Sequence, residues 1–385
     1  MDNVRHLMTR HDLPYHNYYH ALDVMQSCFV FVEEMEAGQY VTELETELET
    51  FALMIASVCH DLDHPGLGNS YQVNKGTEVA LRFNDASCLE NMHAFLCFDI
   101  MRKNGCDILS GLPDQSDDRA AMRKQIIGCI INTDMTFHFG LKNELNTCIA
   151  GVLGEEGAGL GAFLKLEKDR DVLLKTLIHV ADISNPCKSW TLSREWSDRV
   201  IKEFFFQGDL EKKEGLKVSM GMDRDTTEQS ALSLNFCDFI VAPFFVSLVN
   251  ICPKLNKCVE TMADNRGRWN EMCLEIVQGK LDKVKVKVKV NQQGQGEGGG
   301  EGGGEGGEGG DKAEENNEER KKVQEELERW QKRSAGFSAS VQEIIASKNR
   351  ADVGTNGTPT ESEGGEEGEE ESGEEERRGG GGEGA

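Results

Sequence analysis

The feature that most constrains this chain is a long apolar segment that ends directly in a cluster of histidine and carboxylate side chains. Residues Phe51 to Cys59 are almost all apolar, and the next five positions contain His60, Asp61, Asp63 and His64. The segment predicts a buried helix that stops at the following Pro-Gly pair. A carboxylate directly after such a helix is costly unless a cation neutralises it. These residues therefore indicate a metal site, although a polar helix terminus with capping carboxylates explains them equally well when they are taken alone.

Composition narrows the classes of function. The chain has 385 residues and a formal charge of −26, and an acidic chain of this kind is disfavoured as a partner of nucleic acid. Its twelve cysteines are scattered singly with no Cys-x-x-Cys pair, which is typical of buried thiols in a reducing compartment. We find no secretory signal and no apolar run of membrane-spanning length, so we expect a cytoplasmic protein with no membrane segment in this chain.

Further polar groups recur at the ends of predicted helices. His16 and His20 are four residues apart, which on a helix places both rings on one face. Glu90 and His93 lie one turn apart on another predicted helix, and Asp182 emerges from an apolar segment just before a Ser-Asn-Pro turn. Taken alone, the first two histidines are better explained as a pair of surface or core residues. The repeated placement of polar residues at the ends of apolar helices indicates one shared site.

The spacing of apolar residues predicts the fold class. Helical patterns follow one another through residues 1–280, and strand signals are weak, so we predict an all-α fold with a compact many-helix array. Residues 281–385 are predicted to form a separate acidic tail. Four Lys-Val pairs from Lys283 to Val290 are interpreted as a linker. The Gly/Glu-rich segments from Asn291 onward are expected to be disordered, because they cannot bury enough apolar surface to offset the ordering entropy.

One part of this tail can form a helix. Residues 314–348 are strongly charged, and Val323, Leu327 and Trp330 form a thin apolar stripe on them. We expect a solvated single helix, because fewer than three heptads are apolar. A coiled-coil contact with a protein partner through the tail is the alternative.

Ordered motifs along most of the chain carry a family resemblance. They are Tyr15-His16-Asn17 with His20-Ala21-x-Asp23-Val24, His60-Asp61-x-Asp63-His64-Pro65-Gly66 with Asn69, Asn84-Asp85-x-Ser87-x-Leu89-Glu90-Asn91, Thr133-Asp134-Met135, Ala181-Asp182-Ile183-Ser184-Asn185-Pro186, Glu203-Phe204-Phe205-x-Gln207-Gly208-Asp209 and Asp264-Asn265-Arg266. Together these motifs resemble the catalytic domain of the class I 3′,5′-cyclic nucleotide phosphodiesterases, in the His-Asp superfamily. The resemblance runs from Tyr15 to about Trp269 and leaves the tail unmatched.

The resemblance implies a dinuclear metal site at the helix ends. It implies hydrolysis of the 3′ phosphoester bond of cAMP, cGMP or both to the nucleoside 5′-monophosphate, which would end cyclic nucleotide signalling. Zinc and magnesium, or manganese in place of magnesium, are the expected cofactors. His16 would be the general acid. The implied metal ligands are His20, His60, Asp61 and Asp182, and the implied outer-shell groups are His64, Glu90, His93 and Thr133.

The resemblance also implies how the base is held, and here the sequence departs from the family. Phe236 would stack on the purine, Val200 would form the opposite wall and Asn185 would lie at the base edge. The family usually has Gln-x-Gly-Phe, whereas residues 233–236 read Ser-Leu-Asn-Phe, so Ser233 replaces the glutamine that pairs with the base. Gln229, one turn earlier, is expected to be a solvated residue, although an amide there could reach the base. This departure leaves the choice between cAMP and cGMP open.

Only fourteen residues precede Tyr15, so the resemblance leads us to expect that N-terminal helices of the domain are missing here. Membrane attachment could then arise only through that missing region. We also expect truncation after Val290 to leave catalysis nearly unchanged. Two alternatives stay open: a degenerate nucleotide-binding or scaffold protein with little turnover, and a phosphohydrolase of the wider superfamily that acts on another nucleotide.

Overall fold

A computed structural model describes residues 1–37, 47–103, 105–153, 167–294, 316–333 and 341. The chain divides into two units, Met1–Ile345 and Ala346–Ala385, and the second lies outside the described residues. Among the described residues there is no β-strand. The predicted all-α, many-helix fold is therefore confirmed.

The described residues form fourteen α-helices. They are α1 (Asp2–Met8), α2 (Tyr18–Ala37), α3 (Glu47–Cys59), α4 (Asn69–Lys75), α5 (Glu78–Arg82), α6 (Cys88–Lys103), α7 (Asp117–Ile131), α8 (His138–Leu153), α9 (Glu167–Asp182), α10 (Trp190–Glu214), α11 (Gln229–Asn235), α12 (Ala242–Val249), α13 (Asn256–Gly294) and α14 (residues 316–333). A six-residue π-helical segment, Phe236–Val241, joins α11 directly to α12.

The first half of the core is built around α3. This helix packs between α2 and α7, and α9 packs against α2, α7 and α8. The fully buried side chains of Leu53, Ile126 and Leu173 come from three of these helices. The apolar faces of α3 and α9 are buried against neighbouring helices. The polar residues at the C-terminal ends of these two helices lie together at one end of the core.

The second half is built around the continuous helical run of α11, the π segment and α12. Over residues 229–249 this run is long and apolar enough to cross a membrane by length and composition, which the sequence expectation overlooked. Phe244, Phe245 and Leu248 of α12 are buried in the main core. This burial explains the apolar character of the run as that of a core helix.

Helix α13 corrects the predicted linker. It continues to Gly294, so Lys283 to Val290 belong to a helix and the predicted boundary after residue 280 falls inside it. Val277, Leu281 and Val284 are buried at helical spacing, while Val286 is 60 % exposed. Val284 of the Lys-Val alternation thus continues the buried stripe of Val277 and Leu281, which favours extension of the existing helix.

Helix α14 corrects the predicted solvated helix. Val323, Leu327 and Trp330 form the expected stripe, but the stripe packs on α13 against Leu274, Val277 and Leu281. These contacts remove the basis for expecting that truncation after Val290 has little effect. The Gly/Glu-rich stretches predicted to be disordered, residues 295–315 and 342–385, lie outside the described residues.

Candidate active site

Three helix ends bring the predicted metal ligands together. His20 lies in the first turn of α2, His60 and Asp61 follow the last residue of α3, and Asp182 is the last residue of α9. The Nε2 atom of His20 lies 3.0 Å from Asp182 Oδ1 and 3.4 Å from Asp61 Oδ2. The Nε2 atom of His60 lies 3.2 Å from Asp61 Oδ2 and 3.4 Å from Asp182 Oδ1. Two imidazoles and two carboxylates thus converge on one point.

The donor atoms of this cluster have the orientation that a cation requires. His60 Nδ1 lies 2.8 Å from the carbonyl oxygen of Ser57, to which it can only donate, so Nε2 of the neutral ring carries the lone pair. Nε2 of His60 and both ring nitrogens of His20 are buried and have no hydrogen-bond partner among the described residues. Buried imidazole nitrogens that face carboxylates without hydrogen bonds fit a divalent cation.

The electrostatics of the cluster agree with this interpretation. Burial alone would raise the pKa of Asp61 and of Asp182, but the charge of His60 and the close approach of both imidazoles hold the two pKa values below their usual range. The same carboxylates raise the pKa of His20 and of His60 against the effect of burial. The carboxylates are therefore anionic, and a metal ion would replace the protons that otherwise balance their charge.

A second group of side chains shares Asp61. Its Oδ1 atom lies 3.8 Å from Nε2 of His93, while ligand atoms of Asp61, His64 and His93 all lie within 4.8 Å of one another. Burial lowers the pKa of His64 well below its ordinary value and that of His93 to about 4, so both rings are neutral. His93 Nδ1 lies 2.7 Å from the Leu62 carbonyl oxygen. Asp61 thus presents one oxygen to each group, as expected for a carboxylate that reaches two metals.

Glu90 and Thr133 occupy less direct positions. Glu90 accepts two hydrogen bonds from Asn69 Nδ2, at 2.8 and 3.1 Å, and burial raises the pKa of Glu90 to about 7. The Thr133 hydroxyl donates to the carbonyl oxygen of Ile130 at 2.8 Å. No direct contact links either side chain to Asp61 within the described part of the chain. Their predicted outer-shell role remains a prediction.

His16 faces the cluster and is held by a residue whose role the sequence analysis did not assign. Glu203 of α10 hydrogen-bonds to His16 Nδ1 and accepts the backbone N–H groups of Tyr15 and His16 at 3.2 and 3.3 Å. Burial disfavours the charged imidazole, but the Glu203 carboxylate outweighs this effect and raises the pKa of His16 to about 9. The His16 ring stacks on His64 with centroids 3.8 Å apart. Glu203 lies in a motif of the family resemblance, which was the signal available in the sequence.

The turn after α3 is fixed to the segment that carries His16. Asp63 has a φ of 59°, a left-handed conformation that a non-glycine residue adopts at some cost. Its carboxylate oxygens lie 3.0 Å from Arg10 Nη1 and 3.0 Å from His11 Nε2. This contact ties the start of the chain to the metal-ligand turn.

A cavity of about 420 Å³ opens beside the cluster. His16 and Asp182 line one part of it, and Phe236, Val200 and Asn185 line another. The side chain of Asn185 donates from Nδ2 to the Tyr15 hydroxyl at 2.7 Å, while its Oδ1 is buried without a partner among the described residues. The structure therefore brings the predicted substrate-binding residues into the same cavity as His16 and Asp182.

Ser233 also lines this cavity, and Gln229 corrects our expectation. Gln229 is not a freely solvated residue, because Nε2 donates to Asp198 Oδ1 at 2.7 Å and to Ser197 Oγ at 3.0 Å. Ser197 Oγ in turn lies 2.8 Å from Ser233 Oγ. Because a carboxylate can only accept, Asp198 fixes the orientation of the amide. An amide thus lines the cavity one turn before the position where the family has its glutamine.

Comparison with known proteins agrees with this geometry. The sequence profile of the 3′5′-cyclic nucleotide phosphodiesterase family matches residues 15–262. The chain therefore belongs to this family. It is 36 % identical over 255 residues to the 3′,5′-cyclic-nucleotide phosphodiesterase regA of Dictyostelium discoideum and 35 % identical over 257 residues to the mouse 3′,5′-cyclic-AMP phosphodiesterase 4C. Each match covers 66 % of this chain, but only 30 % and 36 % of the length of these relatives.

Solved structures show the same fold. Two crystal structures of the phosphodiesterase domain of the rhodopsin phosphodiesterase from the choanoflagellate Salpingoeca rosetta are similar to this chain, with TM-scores of 0.64 and 0.65. Their sequences are 31 % and 32 % identical to it. The likeness covers 72 % of this chain and 83 % and 80 % of the two solved chains. The His/Asp groups described above are consistent with divalent-metal binding in this family.

Proposed function

We propose that this chain hydrolyses the 3′ phosphoester bond of cAMP, cGMP or both to the nucleoside 5′-monophosphate. One observation carries the proposal: a single cavity is lined at one end by His16 and by Asp182 of the His/Asp cluster, and elsewhere by an apolar wall that contains Phe236. Such a cavity can hold a phosphodiester at its polar end and an aromatic base at its apolar end. The family membership agrees with this assignment of the two ends.

We propose that His20, His60, Asp61 and Asp182 would hold zinc, and that Asp61 would also reach magnesium or manganese. Mixed imidazole and carboxylate ligation suits zinc, and oxygen ligands suit the harder ion. When bound, the two cations would lower the pKa of a metal-bound water and neutralise charge on the phosphodiester. His64 and His93, neutral and adjacent to Asp61, would orient water at this end of the cavity.

His16 is suited to protonate the departing 3′ oxygen. Its Nδ1 is hydrogen-bonded to Glu203, so the charged ring carries its second proton on Nε2. Because the pKa of His16 is about 9, the ring is protonated at neutral pH. A proton held next to the metal cluster on a ring fixed by a buried carboxylate meets the requirements of a general acid.

Recognition of the base is proposed to be weakly selective. Phe236 and Val200 would hold the purine by stacking and apolar contact. The unpartnered Oδ1 of Asn185 can accept from a base amino group, whereas the Ser233 hydroxyl can donate or accept. The bidentate amide of the family is absent at residue 233, which corresponds to a deficit of roughly 1 to 3 kcal/mol. We therefore expect a raised KM and little discrimination between cAMP and cGMP.

The deciding experiment measures turnover of both cyclic nucleotides by the purified chain with zinc and magnesium, before and after chelation. His16→Ala is the matched variant, since it removes a proton donor without removing a ligand. We expect kcat to fall by about 10² to 10⁴ while zinc content stays unchanged. A wild-type protein that retains its metal but converts neither nucleotide would contradict the proposal. Loss of zinc in the variant would show that His16 is a ligand.

The other candidate functions are less well supported. A scaffold without turnover has no need for the paired imidazoles and carboxylates or for the Glu203–His16 pair, which this chain retains. A phosphohydrolase for another nucleotide is disfavoured by the family match. Buried cysteines scattered through the helices, such as Cys28, Cys59 and Cys129, support the proposal of a cytoplasmic location.

A further inference from the structure

Helix α14 reaches the wall of the substrate cavity although it lies far beyond the family match, which ends at residue 262. Its last residue, Arg333, donates from Nε to Asp238 Oδ2 at 2.7 Å and from Nη1 to Asn235 Oδ1 at 2.7 Å. The guanidinium carbon also lies 4.8 Å from the centroid of the Phe239 ring. Asn235 and Phe239 both line the cavity that contains Phe236. One side chain of α14 thus contacts two residues of the cavity wall, Asn235 and Phe239, and the carboxylate of Asp238 between them.

The contact is strong by its chemistry and partial burial. Asp238 is 9 % exposed and Arg333 is 22 % exposed, so their ion pair is largely shielded from water. Arg266 of α13 shares the same carboxylate, with Nε 2.6 Å from Asp238 Oδ1, and donates from Nη2 to the backbone carbonyl oxygen of Arg333 at 3.2 Å. Asp238 is therefore held from two helices at once. Removing Arg333 leaves this carboxylate paired with Arg266, so the substitution does not create an unpaired buried charge.

Arg333 also decides which way the Asn235 amide faces. A guanidinium can only donate, so its bond to Oδ1 fixes the oxygen toward α14 and leaves Nδ2 as a donor. No hydrogen bond from Asn235 Nδ2 to a described residue is formed. The family has glycine at this position, where no side chain is available. An oriented amide donor on the cavity wall is suited to an acceptor on the substrate, such as a purine ring nitrogen.

We propose that Arg333 is a positioning residue for nucleotide binding, which orients the Asn235 amide and anchors the π segment that carries Phe236. Substrate affinity then depends on the docking of α14 through Val323, Leu327 and Trp330. This inference rests on the proposed function, because it names a further determinant of the same cavity. It gives the chain beyond residue 262 a role in recognising the nucleotide.

The test compares steady-state kinetics of Arg333→Ala with those of the full-length wild type and of Lys332→Ala. Lys332 is the matched control, because it is an exposed cation on the same turn for which no described contact exists. We expect Arg333→Ala to raise KM about tenfold, or about 1.4 kcal/mol, with kcat within twofold of wild type and unchanged metal content. Lys332→Ala should match wild type. Asn235→Ala should raise KM similarly, and the double variant should add little, because both changes remove one interaction.

The outcomes separate this inference from the proposed function. If the wild type converts no cyclic nucleotide, the proposed function is wrong, and the inference that rests on it is wrong as well. If the wild type is active and Arg333→Ala has an unchanged KM, the positioning role is wrong. It is equally wrong if Lys332→Ala raises KM as much, or if Arg333→Ala loses metal or lowers kcat at constant KM. Should Arg333→Ala fail to fold, Asn235→Ala with α14 intact provides the KM comparison, and an unchanged KM there overturns the proposal.

Discussion

The pairing of His16 with Glu203 makes a quantitative prediction about pH dependence. A general acid must be protonated, so kcat should fall as pH rises through the pKa of His16, which is about 9. In Glu203→Gln the burial of the ring remains, but the anionic partner is lost, and the pKa should fall toward or below its ordinary value of 6.5. The basic limb of the kcat profile should therefore move down by about 2.5 pH units.

The loss of kcat in Glu203→Gln should be large at pH 8 and small at pH 6. For a pKa of about 9, roughly nine-tenths of His16 is protonated at pH 8, against about 3 % for a pKa of 6.5, so kcat at pH 8 should fall about 30-fold. At pH 6 the loss should be less than about twofold for the same variant pKa of 6.5, and in every case smaller than the loss at pH 8. The glutamine oxygen can still accept the backbone N–H groups of Tyr15 and His16, so metal content and Tm should change little.

The assay is a pH series of kcat at saturating substrate, with Glu195→Gln as the control. Glu195 lies on the same helix, is 53 % exposed and pairs with Arg199 on the surface, so its neutralisation should leave the profile unchanged. A basic limb that stays near pH 9 in Glu203→Gln would refute the reasoning, because the carboxylate would then not control the proton on His16. An equal loss of activity at pH 6 and pH 8 would refute it as well, since that pattern indicates damage to the site.

Three further predictions concern the metal, the base and the packing of α10. Asp182→Ala should abolish activity together with zinc content measured by elemental analysis, and normal metal occupancy with normal turnover would contradict its role as a ligand. Ser233→Gln should lower KM for at least one cyclic nucleotide, because it restores an amide at the base. If the variant has the same KM as the wild type for cAMP and also for cGMP, residue 233 does not contact the base. Gly208→Ala should lower stability by about 1 to 3 kcal/mol in denaturant unfolding, because the new Cβ would lie 2.0 Å from the Met222 carbonyl oxygen. Gly279→Ala, where a Cβ meets nothing within 4 Å on a helix, should leave stability unchanged or slightly increased.

The His/Asp cluster could be predicted from sequence because its residues sit at the ends of strongly apolar helices. The apolar runs before His60 and Asp182 predict that each helix is buried along its length. The polar residues at the C-terminal ends of these helices are therefore expected at an end of the core. Local spacing alone did not join His20 to Asp182, since these residues are brought together by tertiary packing. The repeated polar helix ends indicated a shared site, and the family motifs assigned these two residues to the same metal.

The parts that sequence reasoning missed are set by contacts between distant segments. Gln229 looked solvated because nothing in the sequence places Asp198 beside it. Lys283 to Val290 looked like a low-complexity linker because the repeat alone does not show that α13 continues through it or that Val284 is buried. Low-complexity composition therefore did not exclude order in this chain where an apolar stripe found a neighbouring helix.

The π-helical segment between α11 and α12 sets how α11 is rotated about the helix axis relative to α12. Each residue of an α-helix advances the chain by about 100° around the axis, so removing one residue from Phe236–Val241 would rotate Ser233 and its neighbours by about that angle relative to Phe244 and Phe245. The buried face of α12 would keep its place in the core, and the cavity-lining face of α11 would turn away from the metal cluster. A single-residue deletion here would thus leave the apolar content of the helix almost unchanged while uncoupling base recognition from catalysis. The segment must therefore preserve its length as well as the side chains of Phe236 and Asp238.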